Sequence, residues 1–128
     1  MKRIVFVDAN IIIRFFLGDH PMLSAQAQTM IEKAQNGQYR IYLDEVVVAE
    51  VVWTLSSYYE KGKVDIANQI GKLLSQNWII NPRKNLILKS LSLFEKTNLS
   101  YIDCWIYIIN QHLKTDLATF DKNLKKLV

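Results

Sequence analysis

Apolar and polar residues follow one another in blocks that predict short buried strands separated by helices. The first block, 4–7, is a short run rich in β-branched residues, which is typical of a strand buried on both faces in a parallel sheet. Longer segments repeat apolar residues every three or four positions, as Ala27, Ile31 and Ala34 do, and this spacing predicts amphipathic helices. We therefore expect an α/β fold in which strands and helices alternate.

The predicted elements cover nearly the whole sequence, with no linker, internal repeat or low-complexity tract between them. We therefore expect a single domain over residues 1–128, built on a short, mainly parallel sheet of four or five strands flanked by helices. Strands are predicted at 4–7, 39–43, 78–80 and 114–118, and helices at 10–17, 24–35, 45–59, 64–76, 85–96, 104–112 and 121–127.

Composition adds a few limits to this picture. A formal net charge of +4 favours a polyanionic partner such as nucleic acid. Cys104 is the single cysteine, so an internal disulfide is excluded, and its apolar neighbours predict a buried, inert thiol in a reducing compartment. No signal peptide is evident and no apolar run approaches the length of a membrane span, so we expect a cytoplasmic protein without membrane attachment.

Four carboxylates stand in places that an ordinary solvated surface does not explain. Asp8 directly follows the first strand, and Glu50 interrupts the apolar helix 45–59. Asp103 begins a strongly apolar helix, and Asp121 follows the last predicted strand. Each has a plainer reading, since Asp8 and Asp121 could be turn or cap residues, Glu50 could face solvent, and Asp103 could belong to a capping box with Ser100.

The carboxyl ends of parallel strands meet at one edge of a sheet, so Asp8 and Asp121 could converge there. Several carboxylates in one pocket repel one another and are tolerated mainly around a divalent cation. Oxygen ligands without cysteine or histidine suit Mg²⁺ or Mn²⁺ rather than zinc. The matching chemistry is metal-assisted hydrolysis of phosphodiester bonds.

Taken in order, the segments around these acids resemble the PIN domain, and specifically the VapC-type toxin ribonucleases of prokaryotic toxin–antitoxin pairs. The resemblance covers nearly the whole chain, and the matching segments are 7–10 (VDAN), 48–53 (VAEVVW), 99–103 (LSYID) and 118–121 (ATFD). It implies a PIN fold, an endoribonuclease that depends on Mg²⁺ or Mn²⁺, an RNA substrate, an antitoxin partner and frequent homodimerisation.

By this resemblance, Asp8 and Asp103 would be the main metal ligands, while Glu50 and Asp121 would complete the catalytic acidic cluster. Asn10 and Thr119 would orient the carboxylates by hydrogen bonds, as residues around metal ligands do. Basic side chains near these positions could meet substrate phosphates, although a solvated basic terminus is an equally good reading; they are Arg14, Lys122, Lys125 and Lys126.

Two other enzyme or signalling classes begin with a strand followed by aspartate. A haloacid-dehalogenase-like phosphatase needs a second aspartate where this chain has Asn10, and a receiver domain needs an acidic pair near the N-terminus. Both are therefore disfavoured. The alternative that stays open is a catalytically inactive PIN-like module that binds RNA or a protein without cutting.

Overall fold

A computed structural model describes residues 3–127. The chain forms two compact units, of which the first ends at Pro82 and the second begins at Arg83. The first unit contains strands β1 (Ile4–Phe6), β2 (Arg40–Tyr42) and β3 (Ile79–Ile80) and helices α1 (Ala9–Leu17), α2 (Pro21–Gln35), α3 (Glu45–Trp53) and α4 (Lys63–Leu74). The second contains helices α5 (Lys84–Lys96), α6 (Tyr101–Leu113) and α7 (Lys122–Lys125).

The three strands form one parallel sheet in the order β1-β2-β3. In the register of this sheet Val5 lies opposite Ile41, and Ile41 lies opposite Ile79. Ile41 and Ile79 are fully buried, so the middle of the sheet is the core of the first unit. The predicted α/β class with a parallel sheet is confirmed.

The sheet has three strands within residues 3–127, where four or five were predicted. The predicted strand 114–118 begins at Lys114, which takes the left-handed conformation that ends α6, and residues 115–121 have no regular secondary structure. Apolar and β-branched composition indicates only that a segment suits a pleated surface, and a strand also requires a neighbour in register.

Burial of β1 on both faces was predicted, and this prediction is wrong. Ile4 and Phe6 are 48% and 63% exposed, whereas Val5 is half-buried. In the described sheet β1 is the terminal strand and has β2 as its neighbour, so its side chains alternate between the core and solvent. Val7, directly after the strand, is buried and fixes the position at which the chain leaves the sheet.

Helix α3 forms although its sequence is dominated by valine, which favours strands. Asp44 caps it, because a side-chain oxygen accepts a hydrogen bond from the backbone N–H of Val46 at 3.0 Å. A π-helical turn, Thr54–Tyr58, continues the helix, so the predicted extent 45–59 is confirmed. Four valines and Leu55 face the core and stabilise this conformation by burial rather than by propensity; the valines are Val47, Val48, Val51 and Val52.

Helix α2 begins earlier than its apolar periodicity predicted. Pro21 is the first helical residue, where its missing N–H costs nothing and its fixed φ suits the helix. His20 caps the helix, since its Nδ1 accepts a hydrogen bond from the N–H of Leu23 at 3.0 Å. The surface position predicted for His20 is confirmed.

In the second unit, α5 packs against α6. Helix α6 begins three residues before the predicted start because the Ser100 hydroxyl accepts a hydrogen bond from the N–H of Asp103 at 3.2 Å. Cys104 is fully buried and its thiol is not in a disulfide, as predicted. No helix within residues 3–127 is both long and apolar enough to cross a bilayer.

Candidate active site

Asp8 lies where the chain leaves β1 and enters α1. It is the N-cap of α1, and its Oδ1 accepts a hydrogen bond from the backbone N–H of Ile11 at 3.3 Å. Asp8 is therefore a helix cap, as its plainer reading predicted, and this role does not exclude a second one. A carboxylate has two oxygens with about four lone-pair sites, so one capping bond leaves capacity for a cation at the same group. Asp8 is exposed, which also permits this.

Asn10 and Arg14 follow Asp8 on α1. Asn10 is exposed in the first turn. The Arg14 Nη1 donates to both carboxylate oxygens of Asp19, at 3.0 and 3.1 Å. This hydrogen bond raises the pKa of the Arg14 guanidinium. The proposed phosphate contact of Arg14 would thus be made by a cation whose charge Asp19 already compensates.

Glu50 lies on the outward face of α3, and α3 packs against α1 within the first unit. Val46 and Trp53 share this face, at one turn before and about one turn after Glu50, and both are exposed. In helical register the sequence predicts a stripe shared by Glu50, Val46, Val47, Trp53 and Thr54; Val47 is buried, whereas Val46 and Trp53 face solvent with Glu50. The plainer reading, in which Glu50 faces solvent, is therefore correct, and two exposed apolar side chains share its face.

A polar cluster that the sequence analysis did not select lies at the carboxyl edge of the sheet, the edge at which Asp8 follows β1. It is formed by Asn81, Leu43 and Glu45, beside the ends of β2 and β3. Asn81 is buried, and its Nδ2 donates to the carbonyl of Leu43 at 2.8 Å and to Oε1 of Glu45 at 2.6 Å. The signal that could have revealed Asn81 is the one that revealed Asp8, a polar residue directly after a short apolar run that predicts a strand. This cluster ties the carboxyl ends of the two strands together.

Asp103 lies in the first turn of α6 in the second unit and is half-buried. Its backbone N–H is the one that Ser100 caps, so the Ser100 part of the predicted capping box is present. The dipole of α6 favours a negative charge at this position. The helix dipole therefore gives a structural reason for Asp103, independent of the predicted role as a metal ligand.

Asp121 caps the short helix α7, with Oδ1 accepting from the N–H of Leu124 at 2.8 Å. The hydroxyl of Thr119 accepts a hydrogen bond from the backbone N–H of Asp121 at 3.0 Å. Thr119 thus fixes the backbone on which the Asp121 carboxylate is mounted. The basic residues of this segment are exposed; they are Lys122, Lys125 and Lys126.

The four predicted acids are thus divided between the units, with Asp8 and Glu50 in the first and Asp103 and Asp121 in the second. Within residues 3–127, no group of three or more acidic, histidine or cysteine side chains lies close enough to hold a metal ion. The donors themselves are all carboxylate oxygens, which in chemical type fit Mg²⁺ or Mn²⁺.

Comparison with known proteins adds one finding to this geometry. The sequence matches the family model of the PIN domain over residues 5–128, which includes both units. Searches of curated proteins and of solved structures gave no match. Because the family model covers nearly the whole sequence, this chain belongs to the PIN domain family.

Proposed function

We propose that the chain is an endoribonuclease that hydrolyses RNA phosphodiester bonds with Mg²⁺, or with Mn²⁺ in its place. PIN domains are generally nucleases, so the family match supports hydrolase activity. The observation that supports metal-dependent cleavage is the position of Asp8. This acid lies at the carboxyl end of a parallel strand, where ligands bind in open α/β sheets.

Asp8 and Asp103 would hold the cation, and Glu50 and Asp121 would complete the acidic set. When bound, the cation would polarise the phosphoryl group and lower the pKa of an attacking water. The capping bond from Ile11 to Asp8 and the Thr119 bond to the Asp121 backbone would restrict the positions of two of these carboxylates. Asn10 would orient Asp8 from the same helical turn.

The substrate is expected to be RNA, held in part by electrostatics. Lys122, Lys125 and Lys126 are exposed and directly follow Asp121, so they could contact phosphates beside the reacting bond. Such contacts position a substrate and carry little sequence information. The net charge of +4 agrees with a polyanionic substrate.

We further propose that the chain is the toxin of a VapBC-type pair, with a cognate antitoxin as its partner, and that it acts in the cytoplasm as a homodimer. A buried cysteine outside any disulfide suits a reducing compartment. Val46, Trp53 and Tyr58 are exposed along α3 and its π-helical continuation, which supports an interface on this face. Light scattering at micromolar concentration tests the dimer, and a clean monomer near 15 kDa would contradict it.

A second candidate function is a PIN-like module that binds RNA or protein without cutting. The observation that favours it is that Asp8, Asp103 and Asp121 each have a local structural role at a helix N-terminus, which does not require catalysis. The retention of all four acids favours the nuclease.

Purified chain, free of any partner, should be incubated with total RNA in Mg²⁺ and in EDTA. The nuclease predicts fragments that appear with Mg²⁺, and with Mn²⁺ in its place, and that are absent in EDTA. RNA binding without cleavage in any of these conditions would favour the binding module instead.

A further inference from the structure

A groove in the first unit is lined by residues of α1, α2 and α4 and reaches the edge of the sheet where β2 and β3 begin. Three cavities of about 310, 360 and 300 Å³ share lining residues and so form one continuous depression. Lys72 and Phe16 line the first and second cavities, while Gln35 and Trp78 line the first and third. We call this depression the amino-edge groove and define it by these four residues and Arg40, which lines the third cavity.

The middle of the groove presents aromatic rings. Trp78 is half-buried, and its backbone carbonyl accepts a hydrogen bond from the N–H of Ile41 at 2.8 Å, which ties its main chain to the sheet. Phe16 contacts Phe15 with ring centroids 5.8 Å apart. Aromatic rings have few rotatable bonds, so they provide stacking surfaces at a low entropic cost on binding.

The ends of the groove are polar and mainly cationic. Among the residues that line the three cavities, Arg40, Lys61 and Lys72 are cations and Asp65 is the acid. Side-chain amides accompany them, including Gln35 and Gln69. Cations at both ends and rings in the middle form the combination with which proteins hold single-stranded nucleic acid.

Arg40 adds an independent observation. Its Nε is buried and has no hydrogen-bond partner among the described residues 3–127. A buried donor without an acceptor is costly, so proteins usually retain one where a ligand or water satisfies it. Arg40 also lines the third cavity, so its guanidinium places a cation beside the groove, and a phosphate oxygen would reach the Nε only after this side chain shifts.

We propose that the amino-edge groove binds a stretch of single-stranded RNA at a distance from the reacting bond. Asp8 follows β1 at the carboxyl edge, whereas Arg40 and Trp78 lie where β2 and β3 begin, roughly 10 Å away along strands of this length. The groove would therefore contribute affinity and not chemistry. An amphipathic peptide helix is the less favoured occupant, because its apolar face would meet cations and amides at both ends of the groove.

This inference rests on the proposed RNA cleavage, and its test is arranged so that the two can fail separately. A fluorescein-labelled oligouridine of ten nucleotides is titrated with the full chain in EDTA, where no cleavage is expected, and anisotropy gives Kd. Lys72→Glu and Trp78→Ala should each raise Kd roughly tenfold, since one phosphate contact or one stacked base is lost.

The matched control for the charge is Lys33→Glu. Lys33 is in the last turn of α2 as Lys72 is in the last turn of α4, but it does not line the groove. Trp78→Phe keeps a stacking ring and controls for folding. Both control variants should bind within about twofold of the parent.

Equal weakening by Lys33→Glu and Lys72→Glu would overturn the proposal, because the effect would then be general charge. Unchanged Kd in both groove variants would also overturn it, as would a labelled acidic helical peptide that binds the groove more tightly than the RNA. Loss of binding in the groove variants of a chain that never cleaves RNA would uphold the groove and refute the nuclease. RNA cleavage by the parent chain, together with normal RNA binding by the groove variants, would uphold the nuclease and refute the groove.

Discussion

The two edges of the first unit's sheet carry opposite charges, although the same three strands form both. At the carboxyl edge, Asp8 and Asp44 cap the helices that follow β1 and β2. At the amino edge, Lys33 and Lys72 occupy the last turns of the helices that precede β2 and β3. In a parallel sheet the helix that follows a strand begins at the carboxyl edge, and the helix that precedes the next strand ends at the amino edge, so helix dipoles favour acids at the first edge and cations at the second.

This comparison separates what the fold requires from what function adds. Capping and helix dipoles explain an acid at the carboxyl edge without any catalysis. A catalytic acid must therefore differ from a capping acid in what its removal does to activity. Asp8 and Asp44 make the same kind of capping bond at the same edge, at 3.3 and 3.0 Å, and they form a natural pair for this question.

The largest expected effect is that of Asp8→Asn. Asparagine is as good an N-cap as aspartate, so the bond to Ile11 can be kept while the charge is lost. Cleavage of RNA in Mg²⁺ should fall by several powers of ten, because the lost stabilisation of the transition state is on the order of several kcal/mol. The melting temperature should be unchanged or slightly raised. Initial rates of RNA cleavage and thermal melting measure the two effects.

The control is Asp44→Asn, which makes the same chemical change at a cap that is not assigned to catalysis. It should retain most of the activity. Full activity in Asp8→Asn, with cleavage confirmed in the parent, would remove Asp8 from the proposed metal site. An equal loss of RNA cleavage in both variants would mean that activity depends on the total negative charge of the carboxyl edge and not on Asp8 as a metal ligand.

The next largest effect concerns Asn81, which holds the carboxyl edge together. Asn81→Ala removes the bonds to the Leu43 carbonyl and to Glu45, and it leaves a buried acceptor without its donor. The expected cost in the free energy of unfolding is about 1–3 kcal/mol. Urea unfolding measures this cost. If the variant were as stable as the parent, the hydrogen bonds of Asn81 to Leu43 and Glu45 would not stabilise the fold.

Much of this architecture could be predicted from the sequence, and the parts that could not have physical causes. The length of segment 45–59 correctly outweighed its β-branched composition, since burial of one face stabilises a helix against propensity. The exposure of Phe6 depends on sheet order, which local pattern does not encode. The contact between Asn81 and Glu45 spans 36 residues of sequence, and a single sequence gives no signal of such a pair.

The same limit applies to the candidate site. Each acid could be chosen individually because it follows a predicted strand, interrupts an apolar helix or begins one. Whether four such acids approach one another depends on how separate elements pack, and no local pattern contains that information. The structure adds the local bonds of Asp8, Asp103 and Asp121, and these bonds show that all three residues are at helix N-termini.

A smaller effect is expected at Gly18, which ends α1 with φ +59°. Gly18→Ala meets no atom within 4 Å, so the cost is backbone strain alone, about 1 kcal/mol. Gly71 is the matched control, because it lies inside α4 and an added Cβ also meets open space. Gly71→Ala should raise the free energy of unfolding by about 0.5–1 kcal/mol. Stability changes of the same sign would contradict this account of the two glycines.

The smallest effect separates a cation that the fold uses from one that is available to RNA. Arg14 lies in the last turn of α1 and is paired with Asp19, whereas Lys122 is exposed beside Asp121. A cation already paired with a carboxylate has few counterions to release when RNA binds. Lys122→Gln should therefore reduce the slope of log affinity against log salt by about 0.7, the value for one contact to a single strand, and Arg14→Gln should leave it nearly unchanged. Titrations of a labelled RNA in EDTA at several salt concentrations measure both slopes. A larger loss for Arg14→Gln than for Lys122→Gln would mean that RNA displaces Asp19 from Arg14, and would assign Arg14 to the substrate site.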